Sequence, residues 1–198
     1  MAPPQVLVIG GPNGAGKTTS SRRVFGELLE VSEFVNADVI AAGLSAFDPD
    51  SVALTAGRIM LERLRQLAAD RANFAFETTL ATRSFAPWLS ELRRSGYEFN
   101  LLYVWLRSPD LAISRVKARV QRGGHFVPDD TVRRRYTRSA SNLVKLYIPI
   151  ADRYTITDNS SADGPKLVAS GTNSTPAIVH EPAIWRRILK EAQSGEKK

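Results

Sequence analysis

The sequence contains no cysteine in its 198 residues. That excludes a disulfide framework, a thiolate metal site and cysteine nucleophile chemistry, and it fits a reducing compartment. Long hydrophobic runs are missing too, since no segment approaches the roughly 20 apolar residues that a membrane-spanning helix needs. The N-terminus has no cationic region followed by a signal-length apolar stretch, because residues 6–9 are only strand-sized and glycines follow at once. A soluble cytoplasmic protein with no membrane insertion is expected. Internal repeats and inter-domain linkers are absent, so one domain over residues 1–193 is expected, with 194–198 as a flexible tail.

What is present is a hydrophobic content of 43%, enough for a core, and a net charge of +7 with a pI near 10.0. The excess positive charge suggests an anionic partner: nucleic acid, a membrane surface or a polyphosphate. Arginine is concentrated between Arg107 and Arg138, which marks that stretch as a working surface.

Apolar runs at 5–10, 33–36, 73–77, 99–106, 154–157 and 166–169 read as strands. Residues 17–29, 50–70, 87–95, 109–122, 129–144 and 184–192 read as helices, the first with Val24, Phe25, Leu28 and Leu29 on its apolar face. Residues 37–38 read as a junction and 43–49 as a loop. Parallel strands need crossover connections, so this alternation predicts an α/β fold with a mostly parallel central sheet of five to six strands and helices on both faces.

Between the first strand and the first helix lies Gly11-Pro12-Asn13-Gly14-Ala15-Gly16-Lys17-Thr18. This is the P-loop pattern in the context that gives it meaning. Its glycines let consecutive N–H groups converge on phosphate oxygens, and the following helix directs its positive end at the same charge. Lys17 is expected to neutralise the β and γ phosphates, and Thr18 to offer its hydroxyl to magnesium, with Thr19 beside it. No guanine-specifying Asn-Lys-x-Asp sequence occurs, so ATP with Mg2+ is the expected ligand.

Two carboxylates fall at strand ends, where open parallel sheets bind ligands. Asp38 is either the proton acceptor for a substrate hydroxyl or a helix-capping aspartate. Glu77 either positions substrate hydroxyls or holds magnesium through water, with Thr78, Thr79 and Arg83 lining an acceptor pocket. Arg115, Arg119 and Arg122 share one helix face, and Arg133, Arg134, Arg135 and Arg138 follow after a Gly-Gly-His turn. Residues 109–144 are therefore expected to form a lid hairpin. Arg119, Arg122, Arg134 and Arg138 are the arginines expected to stabilise the transferring phosphoryl, and His125 is expected to bond within the turn and to touch phosphate.

With these residues in view, the chain resembles the zeta toxin family of P-loop kinases, in a short stand-alone form. The likeness covers residues 6–146 and rests on Gly10-Gly11-Pro12-Asn13-Gly14-Ala15-Gly16-Lys17-Thr18-Thr19, Asn36-Ala37-Asp38, Phe76-Glu77-Thr78-Thr79-Leu80 and Arg119-Val120-x-x-Gly123-Gly124-His125-x-Val127-Pro128, with Arg134-Arg135-Tyr136 behind. The resemblance implies a three-layer P-loop kinase fold, Asp38 as catalytic base and Glu77 as substrate-binding glutamate. It implies an acceptor such as UDP-N-acetylglucosamine, and an antitoxin partner. The Gly-Gly-His turn and the arginine excess depart from the family's well-studied members.

Two other readings stand beside it. A nucleic-acid end kinase or RNA-dependent ATPase would use the arginines as a strand groove, but only Phe126 and Tyr136 interleave as stacking platforms, which disfavours nucleic acid. A nucleotide-gated binding protein would have no use for a proton acceptor such as Asp38.

Overall fold

The computed structural model describes residues 2–19 and 33–194. β1 (Gln5–Gly10) is followed by β2 (Glu33–Val35), α1 (Ala37–Leu44), α2 (Ala53–Ala69), β3 (Phe74–Thr78), α3 (Phe85–Arg94) and β4 (Glu98–Trp105). Next come α4 (Pro109–Val120), α5 (Asp129–Asn142), β5 (Arg153–Asp158), β6 (Lys166–Gly171), β7 (Ile178–Val179) and α6 (Pro182–Ser194). Residues 17–19 are helical, and the apolar stripe expected from Val24 to Leu29 lies outside the described residues.

The strands form one seven-stranded sheet in the order β2-β3-β1-β4-β5-β6-β7. The five strands from β2 to β5 are parallel, whereas β6 and β7 add antiparallel at one edge. β7 has two residues, too few for a sequence pattern to reveal.

Period-2 alternation divides the core into two layers. Val6 and Val8 of β1 join Phe99, Leu101, Tyr103 and Trp105 of β4 on one face, against α2, α3 and α6. Leu7 and Ile9 join Leu102 and Val104 on the other, against Ala112, Ile113 and Val116 of α4 and Val132 and Tyr136 of α5. Strands covered on both faces read as continuous apolar runs, which is how β1 and β4 look in the sequence.

α1 begins at residues 37–38, read from sequence as a junction, and ends within 43–49, read as a loop. Asn36 starts it: the Asn36 Oδ1 accepts from the N–H groups of Asp38 (2.8 Å) and Val39 (3.4 Å). The cap is therefore Asn36, and Asp38 stands in the first turn with its carboxylate free of capping duty.

Candidate active site

The P-loop leaves the C-terminal end of β1 at the centre of the sheet. Gly11 has φ +144, and a Cβ there would run into the Val104 carbonyl of β4, so the loop can turn this close to the neighbouring strand only with glycine. The loop borders a cleft of about 470 Å³ over the strand ends, lined on the P-loop side by Asn13, Gly14, Gly16, Lys17, Thr18 and Thr19.

Sheet register sets Glu77. Ile9 pairs with Glu77 across β1 and β3, while Val35 pairs with Phe76, so Glu77 ends up between the P-loop and the cap of α1. Its Oε2 accepts from the Thr18 hydroxyl (2.8 Å) and from the Asn36 Nδ2 (2.9 Å), and its Oε1 lies 3.6 Å from the Lys17 Nζ. Lys17 is 7% exposed and donates to the Pro12 carbonyl at 3.1 Å. Burial pushes the Lys17 pKa below its ordinary value, while Glu77 and Asp38 act to raise it. An anionic ligand would add to the compensation that Glu77 gives this buried ammonium.

The loop after β3 is held under strain. Leu80 is fully buried at φ +54, a left-handed conformation costing roughly 1–2 kcal/mol for a residue with a side chain. Asn142 Nδ2 donates 2.7 Å to the Leu80 carbonyl, and the Tyr147 hydroxyl donates 3.0 Å to the Thr82 carbonyl. These bonds fix the segment that carries Thr78 and Thr79 into the cleft. Asn142→Ala would leave the Leu80 carbonyl without its donor, and a loss of about 1–3 kcal/mol of stability is expected in urea denaturation. An unchanged denaturation midpoint would mean that the loop holds itself.

Asp38 reaches the cleft from the other side, its side chain 54% exposed, with Arg119 Nη1 of α4 3.6 Å from Oδ2. Arg119 also donates 2.8 Å to the His125 carbonyl, and His125 Nδ1 bonds to the Asp50 carboxylate, so the Gly-Gly-His turn is fastened to the segment before α2. Among the described residues, the arginines that line the cleft are Arg115, Arg119 and Arg135. Burial lowers the pKa of Arg135, with Asp38 opposing and Arg134 adding to the shift.

Of the arginines expected to act on phosphate, Arg119 lies in the cleft, whereas Arg122, Arg134 and Arg138 are exposed and do not line it. Helix phase explains this. Arg135 lies on the ridge that continues into buried Ser139 and Asn142, while Arg134 and Arg138 lie on the next ridge, toward solvent. Arg122 follows the end of α4. Arg83 is likewise exposed and outside the lining, which does include Thr78, Thr79 and His125. Sequence reasoning passed over Arg115 and Arg135 as working residues, although Arg115 shares the i, i+4 face of Arg119; it also passed over Asn36, Met60 and Phe85 of the same lining.

The residues fit a magnesium-bound polyphosphate. Among the described residues three buried side-chain polar atoms lack a hydrogen-bond partner, and two of them, Asn13 Oδ1 and Arg119 Nε, belong to residues of this cleft. The Thr18 hydroxyl and the Glu77 carboxylate offer adjacent hard oxygen donors of the kind magnesium takes. No group of three or more His, Cys, Asp and Glu side chains among the described residues is arranged to hold a metal by itself, and none of their helices is long and apolar enough to cross a membrane.

Comparison with known proteins agrees with this architecture. An uncharacterized protein of Haemophilus influenzae is 29% identical over 126 residues, covering 64% of this chain and 88% of that protein. In the crystal structure of AvrRxo1-ORF1:-ORF2 with ATP, one chain superposes with a TM-score of 0.72 at 15% identity over 94% of this chain. The present chain spans 64% of that chain's length. A chain of the PezAT chromosomal toxin-antitoxin system of Streptococcus pneumoniae superposes with a TM-score of 0.66 at 20% identity, covering all of this chain and 85% of that one. These likenesses are of fold: an α/β P-loop kinase-like sheet with the loop at its centre. Residues 6–142, from β1 with its phosphate loop to the end of α5, match the profile of the AAA domain family, and the chain belongs to that family.

Proposed function

We propose that the protein is a zeta-toxin-like kinase that transfers the γ-phosphate of ATP to a hydroxyl of a small anionic metabolite, a UDP-activated sugar being the leading acceptor. The observation that carries this reading is the convergence of Lys17, Thr18, Glu77, Asp38 and Arg119 on one cleft at the strand ends. A pure nucleotide sensor would need the first two residues and not an exposed carboxylate facing them.

In this reading ATP with Mg2+ supplies the activated phosphoryl group, and the protein's own side chains do the rest. Lys17 and the P-loop N–H groups would hold the phosphate oxygens, and the Thr18 hydroxyl and the Glu77 carboxylate would hold the cation, which would offset phosphate charge. Asp38 accepts the acceptor's hydroxyl proton, while Arg119, together with Arg115 and Arg135, offsets negative charge on the transferring group. Thr78 and Thr79 hydrogen-bond the acceptor, and His125 fastens the turn that completes the cleft. On a single catalytic domain, the part of the 109–144 hairpin that can move over the cleft is the turn carrying Gly123, Gly124 and His125, since α4 and α5 are packed into the core. Lys17 and Arg119 are paired with Glu77 and Asp38 in the free protein, and bound phosphate would compete for both cations, which would leave the two carboxylates available to cation and acceptor.

The test is to incubate the purified protein with ATP, magnesium and a panel of UDP-sugars, nucleosides and short RNA 5′ ends, and to search by mass for one added phosphate. Phosphorylated UDP-sugar is the expected product. ATP bound with no product across the panel would overturn the acceptor class. The RNA arm examines the second reading, an end kinase, which is favoured by one observation: Arg122, Arg134 and Arg138 lie outside the cleft with half-exposed Phe126 on the intervening turn. An antitoxin-like partner is supported by the complexes and toxin-antitoxin system in which the fold neighbours were solved.

A further inference from the structure

Gly16 has φ +83, and a Cβ added there would sit 2.6 Å from Nδ2 of Asn159. Asn159 fills that space to make a bond: its Nδ2 donates 2.8 Å to the carbonyl of Ala15, across a separation of 144 residues. It is the first residue after β5, and its own N–H donates 3.0 Å to the Trp105 carbonyl at the end of β4. The next residue, Ser160, accepts from the Arg107 N–H at 2.8 Å and bonds through its own N–H to Asp158 at 2.9 Å. The turn is thus fastened to the end of β4 by two bonds, and from that fixed base one amide side chain reaches into the P-loop.

The consequence follows from peptide geometry. In a trans peptide the carbonyl and the N–H point in opposite directions. Holding the Ala15 carbonyl toward Asn159 turns the Gly16 N–H to the side away from Asn159, and Gly16 itself lines the cleft. Glycine on one side of this peptide makes a flip of the plane sterically cheap. A flipped plane would offer phosphate a carbonyl oxygen in place of a donor, an exchange of attraction for repulsion.

We propose that Asn159 is a positioning residue for nucleotide binding, which locks the Ala15–Gly16 peptide with its N–H facing the phosphates. The inference rests on the nucleotide-binding reading of the P-loop and is independent of which acceptor is used. Its task is distinct from that of Lys17 and Thr18, because Asn159 acts through the backbone of Ala15 and Gly16.

The experiment compares wild type with Asn159→Ala and with Asn159→Asp, a near-isosteric change that keeps the size of the side chain and removes the donor. ATP–Mg2+ affinity by calorimetry is expected to fall about tenfold in Asn159→Ala, the range for one lost hydrogen bond at a preorganised site, and at least as far in Asn159→Asp. KM for ATP should rise in step while kcat stays close to wild type. Labelling alanine with carbonyl 13C and glycine with 15N restricts an NMR spectrum to the three Ala–Gly amides, those of Gly16, Gly43 and Gly57. ADP should shift the Gly16 amide strongly in wild type and weakly in Asn159→Ala. Lowered melting temperature with wild-type affinity and a wild-type Gly16 shift would overturn the proposal and leave Asn159 a structural residue. A wild-type protein that binds no nucleotide would overturn the P-loop reading, and this inference with it. Binding without turnover would count against the acceptor alone.

Discussion

Asp38→Asn is expected to lower kcat by about 10²- to 10⁴-fold, the usual contribution of a positioned general base, while ATP–Mg2+ affinity stays near that of wild type or tightens. The two parts of this expectation come from different features. The loss of turnover follows if Asp38 takes the acceptor's proton: its carboxylate is free of capping duty because Asn36 caps α1, and it faces the cleft beside Arg119. The retained affinity follows from charge. In the free protein Arg119 is engaged with Asp38 at 3.6 Å, so removing the carboxylate releases a cation toward incoming phosphate and costs no contact that nucleotide itself makes. Single-turnover transfer and calorimetric ATP binding, measured on the same preparation, separate the two. Turnover that survives Asp38→Asn would move the base elsewhere. A matching collapse of ATP affinity would instead make Asp38 a structural partner of the lid.

Much of this site was legible in the sequence because its key positions are set by short-range rules. The P-loop pattern fixes the spacing of Gly11, Gly16 and Lys17 in one continuous stretch, and the buried runs of β1 and β4 announce the central strands on either side of the turn. Glu77 was found at a strand end, and register then brings it opposite Ile9, two residues before Gly11 of the loop. What was not legible depends on angles and on distant contacts. Arg134 and Arg135 are adjacent in sequence, yet their side chains diverge by about 100° around the helix, so one lies against the cleft and the other in solvent. The cluster of arginines in sequence contains no information on which ridge packs until Val132, Tyr136 and Ser139 are seen to be buried. α1 escaped notice because it is eight residues long, shows Val39 and Leu44 to solvent, and depends for its start on the side chain of Asn36. Asn159 lay within a polar loop, and only the fold brings it to Ala15.

Arg119→Ala is expected to reduce kcat by about 10³-fold or more, on the scale of arginine residues that stabilise a transferring phosphoryl group. Three observations single out this arginine from the cluster. It lines the cleft, it contacts the carboxylate proposed as base, and its Nε is buried without a hydrogen-bond partner, a donor held ready for an acceptor that the protein does not provide. Arg119→Lys should recover little, because an ammonium cannot reproduce the planar fork that bonds the His125 carbonyl and faces Asp38 at once. Arg122→Ala, Arg134→Ala and Arg138→Ala serve as internal comparisons and should stay within a few-fold of wild type on a small-molecule acceptor, since none of the three lines the cleft. The comparison also separates the two candidate acceptor classes. On an RNA end the three outer arginines should matter, and the salt dependence of binding should flatten as each is removed. If Arg119→Ala kept wild-type turnover while the outer variants lost it, the chemistry would have to lie outside the cleft, and the kinase reading built on Lys17, Glu77 and Asp38 would fall with it.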